Sequence, residues 1–251
     1  MENHEYKIDP TIAYDVVELP SRGIFYPNGM KSVKVAYLTA ADENILSSPN
    51  LIQTGTVITE LLRRKILTRD VPIEDWVEED KQAILIFLRN TAFGTEYNLK
   101  MTDPKTNQEF EFTVDLSELS YKDFNLVADE NGEYKYTFEK SKVDVTFKFL
   151  NAKQEDEIRD ISKTWNGLGA PPVVTKQLEM MIKSVKGNKD IMNIRNFVET
   201  LPIVDSQKFR KYVKDSKPGV DLKLRTIAPS GEEVNFMLDF GAEFFRPFYG
   251  L

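Results

Sequence analysis

The 251-residue chain contains no cysteine and a single histidine, His4. Those absences remove thiol nucleophiles, disulfides, thiolate zinc sites and the usual imidazole base together. His4 lies in a terminal segment, where an incidental surface position outweighs a role in proton transfer. Catalysis by carboxylates alone, as in glycosidases, needs two acids converging in a pocket. The acid-rich stretches here, Glu78-Glu-Asp80, Asp129-Glu130 and Glu155-Asp-Glu157, read instead as helix starts or a turn. There is neither a phosphate-binding glycine loop nor a Gly-x-Ser-x-Gly elbow. Long apolar runs are also missing: the longest, Ala83–Leu88, falls far short of the ~20 residues of a membrane span. The N-terminus is polar and mixed in charge, unlike a signal peptide, so the chain is expected in the cytosol where it is made.

An excess of positive charge is lacking as well. The net charge of −7 argues against binding nucleic acid through its phosphates. The basic clusters Leu62-Arg-Arg-Lys65 and Lys208-Phe-Arg-Lys211 sit in helical patterns among acidic neighbours. They read as solvated helix faces before nucleic-acid patches.

What is present predicts an α+β fold of mixed helices and antiparallel hairpins, with a helical C-terminal half closed by a final hairpin. Residues 1–30, interrupted by Pro10, Pro20 and Pro27, read as an extended N-terminal arm. Residues 31–150 read as an α+β domain, 151–219 as a helical region, and 220–251 as a C-terminal hairpin with an aromatic tail. Within the second segment, Ser32–Leu38 alternates as a strand, and Thr39 with Asp42 forms a variant capping box. That helix is expected to stop before Pro49. Another spans about 55–65. Glu78-Glu-Asp80 and Gly94 bracket the clearest helix, with Ile84, Leu85, Phe87, Leu88 and Phe93 expected at the centre of the core. Asp103-Pro-Lys-Thr-Asn107 joins one pair of strands, and a second pair covers about 134–139 and 142–150. Helices follow at about 152–165, 175–185, 190–200 and 206–215, before strands at 220–227 and 233–240.

The two hairpins around Pro104 and Pro229 look alike. Leu99, Glu109, Phe112 and Asp115 align with Leu222, Glu233, Phe236 and Asp239. Either an internal duplication or the shared pattern of amphipathic hairpins accounts for this.

Aromatic residues crowd the ends of the chain. Phe25 and Tyr26 lie beside Arg22 near the start, and Phe244, Phe245, Phe248 and Tyr249 surround Arg246 at the end. Such rings dock either on the chain's own core or on a partner, where aromatic and arginine side chains are common anchors. These eight residues are the candidate partner-binding set.

Three blocks remain: Leu19-Pro-Ser-Arg-Gly-Ile-Phe-Tyr-Pro27, Leu38-Thr-Ala-Ala-Asp-Glu-Asn-Ile-Leu-Ser-Ser-Pro-Asn-Leu-Ile52, and Ala83-Ile-Leu-Ile-Phe-Leu-Arg-Asn-Thr-Ala-Phe-Gly-Thr-Glu-Tyr97. In order and spacing they resemble a family of contractile-tailed bacteriophage proteins of the T-even type, associated with the central hub of the tail baseplate. The likeness covers roughly residues 17–120 well and the rest weakly. It implies a late, non-enzymatic structural subunit or assembly factor of the hub, acting through contacts with other baseplate and tail proteins. It implies no cofactor and no catalytic residue; no metal, membrane, nucleic-acid or small-molecule partner is expected, the first three from the absences described above. The implied location is the host cytoplasm during assembly and, if the protein is retained, the tail baseplate of the virion. The alternatives are a general assembly chaperone or adaptor that leaves the particle, and a carboxylate-dependent hydrolase.

Overall fold

The described residues of this computed structural model, 11–167, 169–240 and 242–245, form an α+β fold of helices and antiparallel hairpins. Two compact units divide the chain. One takes the segments up to Lys122 and from Gly219 onward, and the other is Asp123–Pro218. The sequence boundaries near 30, 150 and 219 mark changes of local pattern, whereas spatial contacts group the segments by the core they share.

In the first unit, β1 (Tyr14–Glu18) pairs antiparallel with β2 (Ser32–Ala36), Val17 opposite Val33. Within the stretch read as an extended arm, Tyr14–Glu18 is therefore a strand, and the chain after it winds through successive turns. Thr39 opens α1 (Ala40–Leu46): the Asp42 carboxylate accepts from the Thr39 N–H at 2.7 Å and from its hydroxyl at 2.9 Å. Pro49 does more than end that helix. It occupies the first position of α2 (Pro49–Gln53), where its missing N–H costs nothing. α3 (Val57–Lys65) buries Val57, Leu61 and Leu62.

α4 (Glu78–Phe93) begins with three acids at the positive end of its dipole and stops at Gly94, whose φ of 82° suits a residue without Cβ. Its interior meets protein on more than one side, so Ile84, Leu85, Ile86 and Leu88 are all buried. Phe87 and Phe93 are only partly buried and pack at the margin of the core.

β3 (Glu96–Thr102) and β4 (Glu109–Asp115) form the first hairpin. The strands labelled β8 (Lys223–Ile227) and β9 (Glu233–Met237) form its look-alike in the same unit. Each alternates between half-buried and exposed residues. The inner faces meet, with Phe112 and Phe236 edge to face at 5.1 Å. The turns are latched by Asp103, which accepts from the Ser230 N–H at 3.0 Å and the Ser230 hydroxyl at 2.8 Å. Leu99 stands opposite Phe112 and Leu224 opposite Phe236. The observed registers thus equate Leu99 with Leu224, two residues beyond the Leu222 of the sequence alignment.

The second unit holds a three-stranded antiparallel sheet in the order β5 (Tyr134–Thr137), β6 (Asp144–Phe147), β7 (Ile182–Val185). Around it lie α5 (Ala152–Thr164), α6 (Val173–Met181), α7 (Ile191–Thr200) and α8 (Ile203–Ser216). The helix expected to reach residue 185 stops at Met181. Ile182 and Val185 pair with β6 instead, because β-branched side chains bury well on a sheet. Phe138, Phe147 and Phe209 make the ring core of this unit, with centroids 5.3 and 5.4 Å apart.

Leu88 is fully buried in the first unit. Leu88→Ala is expected to cost about 2–5 kcal/mol, the usual range for a core leucine. Denaturation followed by Trp76 fluorescence in a Trp165→Phe background reads this unit directly. An unchanged midpoint would place the α4 contact face outside the core.

Candidate functional site

Residues 19–30 curl into a tight loop. Consecutive turn bonds run from Arg22 N–H to Leu19 O, Ile24 N–H to Ser21 O, Tyr26 N–H to Gly23 O and Gly29 N–H to Tyr26 O. Gly23 has φ of 81°, and a Cβ there would lie 2.4 Å from the Gly29 carbonyl oxygen, so only glycine fits. Winding the loop this way points two donors at one buried carboxylate. The Ser21 N–H donates to Asp80 Oδ1 at 3.0 Å, and the Tyr26 hydroxyl donates to Oδ2 at 2.7 Å. Burial drives the Asp80 carboxyl above its ordinary pKa, and the bonds from Ser21 and Tyr26 only partly restrain it. Burial, then the charge of Asp80, pushes the Tyr26 phenol far above its normal range.

The candidate partner-binding residues separate accordingly. Tyr26 is buried against Trp76, ring centroids 5.9 Å apart. Phe244 and Phe245 are 1% and 2% exposed. The Phe244 ring sits 5.2 Å from Tyr97 and 4.9 Å from Phe240. These three rings dock on the chain's own core. Phe25 is half-buried against the same core. Arg22 is exposed, beside Ile24, which is 41% exposed. Arg246, Phe248 and Tyr249 lie outside the described residues.

A second exposed row lies on β1 and just before it: Ile12, Tyr14 and Val16, with Lys34 over the Tyr14 ring at 5.4 Å. Its period of two was the available signal, masked by reading the segment as an arm.

The other buried charges are tied to backbone groups or to neighbouring side chains. Burial pushes the Asp42 carboxyl up, but bonds from Lys65 and Thr39 outweigh it and hold the pKa below the usual value. Arg64 Nε adds an ion pair at 2.9 Å. Asp205 accepts from the N–H groups of Lys140 and Ser141 at 3.0 and 2.9 Å. Glu133 accepts from Thr146 and pairs with Lys189. Arg89, 1% exposed, donates to the Gly94 and Glu96 carbonyls at 3.0 and 3.1 Å and lies over the Phe93 and Tyr97 rings. Open clefts among the described residues include two more candidates. One of about 220 Å³ is bordered by Arg63, Arg69, Glu74 and Trp76, with Glu74 engaged by Arg63. The other, about 530 Å³, is lined by Lys186, Asn188, Asn193, Asn196 and Phe197. Two carboxylates converge in neither. Among the described residues, no group of three or more His, Cys, Asp or Glu side chains is placed to hold a metal ion. No helix among them is long and apolar enough to cross a membrane.

Among known proteins, the family described as T4 bacteriophage base plate protein matches residues 15–246. The chain belongs to that family. No curated protein and no solved structure matches it.

Asp80→Ala strands the Ser21 N–H and the Tyr26 hydroxyl, at about 1–3 kcal/mol per stranded group, whereas Asn retains an acceptor. The folded pKa of Asp80 lies above its unfolded value of about 3.9. The proton-linked part of its contribution is therefore full below that unfolded value and is lost as pH rises through the folded one. Denaturation at stepped pH is expected to show wild type gaining on Asp80→Asn as pH falls into this window. A gain in the opposite direction would refute the buried-carboxylate account.

Proposed function

We propose that the protein builds the baseplate hub of a contractile phage tail, as a structural subunit or assembly factor, through contacts with other tail proteins and without catalysis. The observation that carries this reading is family membership spanning residues 15–246, and with it nearly all of both units. The disposition of the acids supports the non-catalytic part: Asp42, Asp80, Asp103, Asp205 and Glu133 each accept bonds that hold their own surroundings in place. A hydrolytic pair needs two carboxyls at about 5–10 Å with room for substrate between them.

On this reading the protein acts in the host cytoplasm while the baseplate forms. Arg22 and Ile24, on the rigid loop, and the β1 row of Ile12, Tyr14 and Val16 are the contact candidates in the first unit. A rigid loop loses little entropy on docking, which favours it as an anchor.

The test is a phage in which this gene is silenced. Tail intermediates are expected to accumulate without a completed hub, and the wild-type chain supplied in trans should restore plaques. Mass spectrometry of purified virions then separates subunit from factor: stoichiometric peptides mark a retained subunit, and their absence marks a factor that departs. Normal baseplates in the silenced infection would overturn the proposal.

A further inference from the structure

The two stacked hairpins of the first unit pack through their inner faces, so their outer faces point away from each other. Those outer faces differ in charge. On β3 and β4 the outward row carries Glu96, Glu109, Glu111 and Asp115 against the single cation Lys100. On β8 and β9 it carries Lys223 and Arg225 with Ile227 and Met237, and one acid, Glu233. Ile227 and Met237 are 73% and 60% exposed, at opposite ends of that face, Ile227 across from Glu233 and Met237 across from Lys223.

Neither outer face is balanced by its own chain. Glu96 and Asp115 stand directly opposite each other in the register, an arrangement that repels. Lys100 reaches Glu111 at 3.1 Å, but both side chains are 70% exposed, and such a pair is worth little in water. On the second face, Lys223 and Arg225 stand opposite Met237 and Asn235 rather than opposite an acid, and only the backbone N–H of Lys223 donates to a carboxylate, that of Asp221. The spacing is also complementary. Glu109 and Glu111 are two residues apart on one strand face, as are Lys223 and Arg225, which places each pair of charges about 7 Å apart.

We infer that the hairpin stack is a self-association surface: the Lys223–Arg225 face of one copy docks on the Glu109–Glu111 face of a second copy. Both halves of the match lie on this one chain, which favours a second copy over another acidic or basic partner. The two faces are different patches, so the contact is head-to-tail and propagates toward a ring or an open stack. Two-stranded faces are small, which makes the pairwise contact weak and dependent on salt. Burying Ile227 and Met237 adds a contribution that salt does not screen. The inference deepens the assembly reading by naming one partner, and rests on it; because the test uses the purified chain alone, its failure is distinguishable from failure of the hub proposal.

Sedimentation velocity of the full chain at low salt is expected to show concentration-dependent association that fades as salt is raised. Two double variants probe the faces separately, Lys223→Glu with Arg225→Glu, and Glu109→Lys with Glu111→Lys. All four side chains are exposed, and circular dichroism checks that each variant folds. Each variant alone is expected to self-associate about tenfold more weakly or worse, since like charges then meet. An equimolar mixture is expected to regain association, because each variant supplies the charge that the other lacks. Both remain net acidic, so general attraction between them does not produce that recovery. A wild-type chain that stays monomeric throughout, association indifferent to both reversals, or a mixture that fails to recover would overturn the inference.

Discussion

Asp80 is held where water cannot reach it, and its charge is answered by hydrogen bonds from Ser21 and Tyr26 rather than by a cation. Burying a carboxylate is costly unless every oxygen finds a donor, so the structure must bring both donors to it at once. That requirement shapes residues 19–30. The close approach of Gly23 to Gly29 curls the loop, and the curl presents the Ser21 N–H and the Tyr26 hydroxyl on one side. With the loop in place, Leu19, Tyr26 and Met30 join Trp76, Ile84 and Leu88 in one core. The first block of the family resemblance is thereby bound to α4, which carries the third. The second block is also fastened by a buried carboxylate, but here Asp42 is answered by the cation of Lys65 as well as by Thr39.

The device recurs across both units. Asp103 latches the tips of two hairpins, and Asp205 caps the N–H groups of a turn at Lys140 and Ser141. A chain without cysteine has no disulfide to pin irregular segments, and buried carboxylates supply another means. The result is a set of stiff loops and hairpin faces. Stiffness matters for a protein that works by contact, because a surface already ordered loses less entropy when a partner docks.

Much of this was legible in the sequence. α4 was bounded correctly by Glu78-Glu-Asp80 and Gly94, and α1 by the Thr39–Asp42 pair, since dipole, cap and glycine signals are local and strong. The strands around Pro104 and Pro229 showed through their alternation. β1 was not legible, because prolines at 10 and 20 suggested an arm and its pairing with β2 is a tertiary fact. β7 was hidden at the end of a helical pattern, where pairing with β6 overrides propensity. The candidate site was the least legible part. Aromatic content pointed to Tyr26, Phe244 and Phe245, but composition does not distinguish a ring that docks inward from one that docks on a partner. The Asp80 contact, spanning 59 residues from Ser21, left no local trace.

The central claim is that the buried acids are clamps serving a contact surface, not reagents. It is tested most directly by supplying Asp80→Asn in trans to a phage lacking the gene and counting completed tails by electron microscopy. Asparagine keeps an acceptor for Ser21 and a polar partner for Tyr26 but neither carries the charge nor exchanges a proton as an acid. The account predicts tails in wild-type numbers. A variant that folds as wild type yet yields no completed tails would contradict it.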